Sequence, residues 1–443
     1  MINRIKAAVE KHEKLILEAE RHIWKNPETG FKEFKTTAYL KEKFESFGYE
    51  LVCPDDITGF YTVLDTGKAG PTLLILAELD SVICPGHPES DPETGAVHAC
   101  GHHAQCAALL GIAAALKEPG MLDGLSGRIK LCAVPAEELL EIGYRSELRD
   151  KGVIKYLGGK SEFAARGYFD DVDLAFMVHT SSVYTARLGS VGCLAKTVIY
   201  KGKAAHAGGS PWNGINALYA ASQGLNAVNA LRETFKEADC IRFHPIITSG
   251  GAMVNAIPET AVIETYVRGL TFDAITSANK RINRALCGAA LSIGANVEII
   301  DLPGYAPLRN SAGMLKLCKD AYESAFPGKE FPIAQIYGTG STDMGDLSCF
   351  MPVVHPYAAG AQGNSHGANY YVVDPRAACV DNAVWQINMA RMLLENDGAL
   401  AKEIVDSYEA PFASVKEFLA FQDSIAAKGD RIVYSEDKAE VIL

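Results

Sequence analysis

Seven side chains able to bind a metal ion or move a proton fall at the ends of apolar runs. TLLILAEL carries Glu78 and leads directly to Asp80. RIKLCAVPA leads into Glu137 and Glu138, and DLAFMVHT reaches His179. Cys100 and His102 stand at the start of the helical stretch GHHAQCAALLGIAAALK. Cys, His and Glu are the usual ligands of zinc and similar divalent ions. A thiol at a helix N-terminus has a depressed pKa, which favours the thiolate that binds metal. Two adjacent acids at a strand end point in opposite directions, so one can hold an ion while the other faces a water. A metal lowers the pKa of that water and a carboxylate takes its proton, so the chemistry predicted is metal-assisted hydrolysis. Each group also has an ordinary reading: Cys100 as a small buried hydrophobe, Glu137 and Glu138 as a solvated helix start. The Cys-x-His spacing, and an apolar strand running through VPA into two acids, favour the functional one.

Those residues need elements that bring them together. From residue 71 short apolar runs alternate with helical patterns, which predicts a mostly parallel α/β sheet flanked by helices. Ligands of such sheets bind beyond the carboxyl ends of the strands, where these groups would gather. Near residue 188 the texture changes to a β-α-β-β-α-β succession, a ferredoxin-like signature. In that stretch AMVNAIPETAVIETYVRGLTF reads as two strands around an Ile-Pro turn. The expected organisation is an α/β domain over 1–187 and 303–443, with an inserted α+β domain over 188–302. The Lys- and Arg-rich stretch 145–166 reads as a solvated face, and the segment after 396 carries no assigned role.

The chain has 443 residues and a formal net charge of −12. Its acidity opposes non-specific nucleic-acid binding, which needs a basic footprint. No apolar run approaches the ~18 residues needed to span a bilayer. The opening MINRIKAAVEKHEKLILEAERHIW reads as an amphipathic helix rather than a signal peptide, so a cytoplasmic location is expected. The cysteines number eleven, without a framework spacing, and read as reduced thiols.

The motifs AELDSV, HACGHH, VPAEE, MVHT, KAAHAGGSP, VNAIPE and SHGANYYVVD follow one another as in the aminoacylase/carboxypeptidase family of two-metal amidohydrolases. The sequence most resembles the family's cysteine-containing branch, which includes N-acyl-amino-acid amidohydrolases, hippurate hydrolases, auxin-conjugate hydrolases and aminobenzoyl-glutamate hydrolases. The resemblance covers residues ~10–395 by these motifs. It implies a phosphorylase/hydrolase-like catalytic domain with an inserted lid and dimerisation domain. It also implies two divalent ions, zinc foremost, with manganese or cobalt as alternatives. Cys100 would bridge them, with His102, Glu138, His179 and His366 as the other ligands, and Asp80 would orient a ligand. Glu137 would be the general base. His206 would reach across a homodimer to the oxyanion. Asn255 and Arg268 would hold the substrate's oxyanion and carboxylate, and Gly340 and Ser341 would line its pocket. The implied substrate is a small amide bearing a free carboxylate. A dipeptidase, an N-carbamoyl-amino-acid hydrolase and a metal-bound scaffold without activity are the alternatives. Glu78, His103 and GSTDMGD depart from the branch's usual residues.

Overall fold

A computed structural model describes residues 1–443. The chain divides into two compact units. The first comprises Met1–Gly189, Leu308–Gly338 and Thr342–Lys416; the second comprises Ser190–Pro307, Thr339–Ser341 and Glu417–Leu443.

The sheet of the first unit contains β1 (Phe60–Asp65), β2 (Thr72–Glu78), β3 (Arg128–Val134), β4 (Leu174–Phe176) and the short strand Val353–Val354, in the order β1-β3-β2-β4 and then Val353–Val354. Only the β1–β3 pair is antiparallel; the other three pairs are parallel. Every residue of β2 is buried, as befits a central strand covered on both faces. Helix α1 (His102–Leu116) is buried at every position, in keeping with its apolar HHAQCAALLGIAAAL sequence. It starts after Gly101, whose φ is 94°. A Cβ there would lie 2.4 Å from the Tyr370 hydroxyl, so glycine is required both for conformation and for space.

The second unit is built on an antiparallel sheet of β5 (Gly192–Lys201), β6 (Arg242–Phe243), β7 (Ile246–Ser249), β8 (Thr260–Gly269), β9 (Asn296–Pro303) and β10 (Ala427–Asp430). Its order is β6-β8-β5-β9-β10, with β7 also paired to β8. Burial alternates along β8 and β9, the period-2 pattern of a half-covered sheet. Helices α3 (Ala217–Asn229) and α4 (Phe272–Leu291) supply the buried face with Ala220, Ile275, Ile282 and Leu286.

Strands flank the Ile-Pro turn as expected: Ala256–Ile257 before it, in a two-stranded ribbon with Ala205–His206, and β8 after it, paired with residues 242–249. Two expectations are corrected. Residues 417–443 join the second unit, because β10 extends its sheet beside β9, so the first unit does not run to the C-terminus. The 145–166 stretch is not a solvated face: Arg145 and Lys160 are fully buried, each held by oxygen acceptors described below. All eleven cysteines are free thiols.

Candidate metal centre

The first unit gathers Asp80, Cys100, His102, Glu137, Glu138, His179 and His366 beyond the carboxyl ends of β2, β3 and β4. The Cys100 Sγ lies 3.4 Å from His179 Nε2 and 3.3 Å from His366 Nε2. His366 Nε2 is also 3.0 Å from Glu138 Oε1. Two potential metal-binding groups therefore share one sulfur: Cys100, His102 and His179 in one, Cys100, Glu138 and His366 in the other. Within each, the donor atoms lie within 4.8 Å of one another.

The ring orientations suit ligation. His102 directs Nδ1 to the Asp80 carbonyl at 2.9 Å, and His179 directs Nδ1 to the Thr180 carbonyl at 2.8 Å. A carbonyl accepts only from N–H, so each ring keeps its Nε2 lone pair for the cluster. The His102 Nε2 atom is buried without a hydrogen-bond partner. Buried polar atoms are normally satisfied, so this nitrogen fits a divalent ion as the missing partner. His366 reaches the cluster from a backbone φ of 61°, a left-handed conformation uncommon outside glycine.

The electrostatics agree. Burial and Glu138 push the Cys100 thiol up, but His102 and His179 outweigh them and bring it down to about 6. Burial raises Glu138, yet its hydrogen bond to His366 holds it at about 2. Burial, followed by the carboxylates of Glu78 and Glu138, pushes Glu137 well above its ordinary value.

The loop carrying Glu137 and Glu138 is fixed from several sides. Asp80 Oδ2 accepts from the Glu138 backbone N–H at 2.7 Å, and Glu33 Oε1 accepts from the Ala136 N–H at 2.8 Å. Arg145 donates to the carbonyls of Ala136, Leu157 and Glu138. Ala136, between β3 and the two acids, takes a φ of 56°, a left-handed conformation uncommon outside glycine.

A buried charge network adjoins the cluster, and sequence reasoning missed it. Lys160, on α2 (Gly159–Ala165), donates to Glu78 Oε1 at 2.6 Å and also to Asp343. Gln105 donates to Glu78 Oε2 at 2.9 Å, and that oxygen lies 3.2 Å from His102 Nε2. A third group, Glu78 with His102 and Glu137, also has ligand geometry. Lys160 and Gln105 already engage both Glu78 oxygens, which sets Glu78 apart from the other carboxylates. The signal was the Gly158-Gly159 pair before Lys160: a Cβ on Gly159 would lie 1.7 Å from the Pro135 carbonyl oxygen, so only glycine admits this approach. His103, beside His102, instead packs on Trp24 with ring centroids 4.9 Å apart, its Nε2 3.2 Å from Glu20.

The remaining sequence candidates lie in the second unit. His206 sits on the small ribbon and Asn255 in the turn that leads into it, where the Ala207 N–H donates to the Asn255 carbonyl at 2.9 Å. His206 Nδ1 accepts from the Gly208 and Gly209 N–H groups at 3.1 and 2.9 Å. Its proton is therefore on Nε2, which is exposed and able to donate. Arg268 Nη1 donates to Ser341 Oγ at 3.1 Å, not to Glu264, and Gly340 is exposed with open space where a Cβ would stand.

Residues 74–384 match peptidase family M20/M25/M40. The Xaa-Arg dipeptidase of Mus musculus is 30% identical over 76% of this chain and 74% of its own. The indole-3-acetyl-aspartic acid hydrolase of Enterobacter agglomerans is 30% identical over 71% of this chain and 80% of its own. Among solved structures, a dinuclear metal-binding peptidase of Bacillus subtilis superposes with a TM-score of 0.63 at 20% identity, over 87% of this chain and 99% of its own, which shows a common fold. The chain belongs to peptidase family M20/M25/M40, hydrolases that act on C–N bonds.

Proposed function

We propose that the chain hydrolyses the amide bond of a small N-acyl amino acid or aminobenzoyl-glutamate-like substrate with a free carboxylate. The observation that carries this reading is the single buried sulfur of Cys100 shared by two ligand groups. Cys100, His102 and His179 would hold one divalent ion, and Cys100, Glu138 and His366 the other. Zinc suits the Cys and His donors best; manganese and cobalt suit the same set. The dinuclear peptidase of the same fold supports two ions.

Bound there, the ions would acidify a water and polarise the amide carbonyl. Glu137 takes the proton from that water and delivers it to the leaving nitrogen, a role its proton-favouring environment suits. Asp80 and the Thr180 carbonyl keep the two histidine rings in register. His206, with its proton on Nε2, donates to the oxyanion of a neighbouring subunit, and Asn255 assists. Arg268 binds the substrate carboxylate beside Ser341 and Gly340.

The second unit acts in this reading as a lid and homodimerisation surface. Trp212, Tyr219, Ile246, Met253 and Val254 are exposed on it and offer apolar side chains for such a contact. The free thiols suit the cytoplasm.

A dipeptidase is the second reading, supported by the Xaa-Arg dipeptidase. Purified protein supplied with zinc, manganese or cobalt, offered N-acyl amino acids, aminobenzoyl-glutamate and dipeptides, distinguishes the two by release of free amine. The proposal expects N-acyl turnover that a chelator abolishes. Bound metal with no turnover of any amide would overturn it in favour of a scaffold.

A further inference from the structure

Arg187 lies on the strand Ala186–Ser190 of the first unit. Its guanidinium stands 5.5 Å above the centre of the Tyr357 ring. Tyr357 lies 5.8 Å from the ring of His179 and 5.4 Å from that of His355, while His355 and His179 are 5.6 Å apart. A wall of three aromatic rings thus runs from the Cys100 cluster to Arg187. Arg187, Cys100, Glu137 and Glu78 all act electrostatically on the Tyr357 hydroxyl, which places the cation and the cluster around one phenol.

The position is fixed, but its charge is unanswered. Asn310 donates to the Arg187 carbonyl at 2.8 Å and accepts from the His355 N–H at 3.0 Å. Thr185 and Tyr357 exchange two backbone hydrogen bonds at 2.8 and 3.1 Å. The guanidinium itself forms no ion pair or hydrogen bond within the chain, and it is only partly exposed. By contrast, the Arg145 guanidinium donates to carbonyls, and that of Arg166 pairs with Asp56 and Glu162. A half-buried, stacked guanidinium without an acid is a ready receptor for a carboxylate.

We propose that Arg187, stacked on Tyr357, selects substrates with a second anionic group, so that the preferred leaving amino acid is acidic. The inference rests on the amidohydrolase reading above, with Arg187 taking a carboxylate of the leaving amino acid's side chain. A substrate with a basic side chain would place like charges together, a built-in discrimination. Arg187 therefore favours an activity nearer in substrate charge to the aspartic acid conjugate hydrolase than to the Xaa-Arg dipeptidase.

The test compares kcat/KM of the metal-loaded protein for N-acyl-glutamate, its neutral isostere N-acyl-glutamine and N-acyl-lysine, each as acetyl and benzoyl derivatives. The expected order is glutamate first, by about tenfold or more, as for a charge-assisted hydrogen bond. Arg187→Ala should lower the glutamate-to-glutamine ratio about tenfold, mainly through KM, and Arg187→Lys should keep part of it. Arg187→Glu should shift preference towards lysine. Melting curves verify that each variant is folded. A wild-type ratio near one, or a ratio unchanged in Arg187→Ala, overturns the inference while leaving the hydrolase reading intact. No turnover of any derivative by the wild type overturns both.

Discussion

The two units carry their candidate residues in opposite ways. In the first, the cluster around Cys100 is buried apart from the half-buried His179 and the exposed His366, and its ring nitrogens and carboxylates are oriented by a second set of groups: the Asp80 and Thr180 carbonyls, Glu33, Arg145 and Lys160. In the second, His206, Asn255 and Gly340 are exposed, and only short contacts to Gly208, Gly209 and Ser341 orient the candidate side chains. Burial gives a cluster fixed geometry and shifted pKa values at the cost of desolvation. Exposure leaves donors such as His206 Nε2 for whatever arrives from outside. In the proposed reading, metal binding and proton transfer fall to the cluster of the first unit, while the second supplies donors to the substrate's oxyanion and carboxylate.

Mutations should separate the two sets. Glu137→Ala should lower turnover about a thousandfold with metal content unchanged, since it removes a proton carrier and not a ligand; near-normal turnover would take the acid–base role away from the buried cluster. Lys160→Met should leave the Glu78 and Asp343 carboxylates buried without their cation, costing about 3–5 kcal/mol in urea unfolding. An unchanged midpoint would show that the cluster does not depend on its buried surroundings. His206→Ala should cost about a hundredfold in kcat, as for a lost oxyanion donor, with stability retained. Mixing it with Glu137→Ala subunits should recover part of the activity if sites are shared, and no recovery in verified mixed dimers would confine the site to one chain.

The smallest effect concerns pH. Burial raises the Glu33 carboxyl from 4.5 to about 8. The folded chain therefore keeps a proton that the unfolded chain releases, and Glu33's share of stability falls as pH rises across that window. Glu33→Gln should flatten the decline in urea midpoint; an identical slope in both proteins would mean that Glu33 is ionised when folded.

Much of the first unit was legible because its strands are short apolar runs that end in chemistry-bearing residues. β2, β3 and β4 deliver Glu78, Glu137, Glu138 and His179 to one edge, and the alternation of period fixes their order. The groups that support them were not legible. Arg145 and Lys160 sit in a charged stretch, and nothing local shows that their acceptors are Ala136, Leu157 and Glu138 for one and Glu78 and Asp343 for the other. Such long-range satisfaction is set by tertiary packing and not by periodicity. Strand β7 escaped notice because its four residues are all exposed, so no burial alternation marks it. Strand β10, with the sequence AKGD, has no β-propensity and is a strand only because β9 offers a free edge. Arg187 had no motif; its interest comes from Tyr357, far along the chain, lying beneath it.

The account depends most on one sulfur serving two cations. Crystals grown with zinc or manganese, and measured at the metal's absorption edge, would test this directly. The expected anomalous map has two peaks, each bonded to Cys100 Sγ, one also to His102 and His179 and the other to Glu138 and His366. A single peak, or a pair that leaves Cys100 Sγ outside both coordination shells, would contradict it.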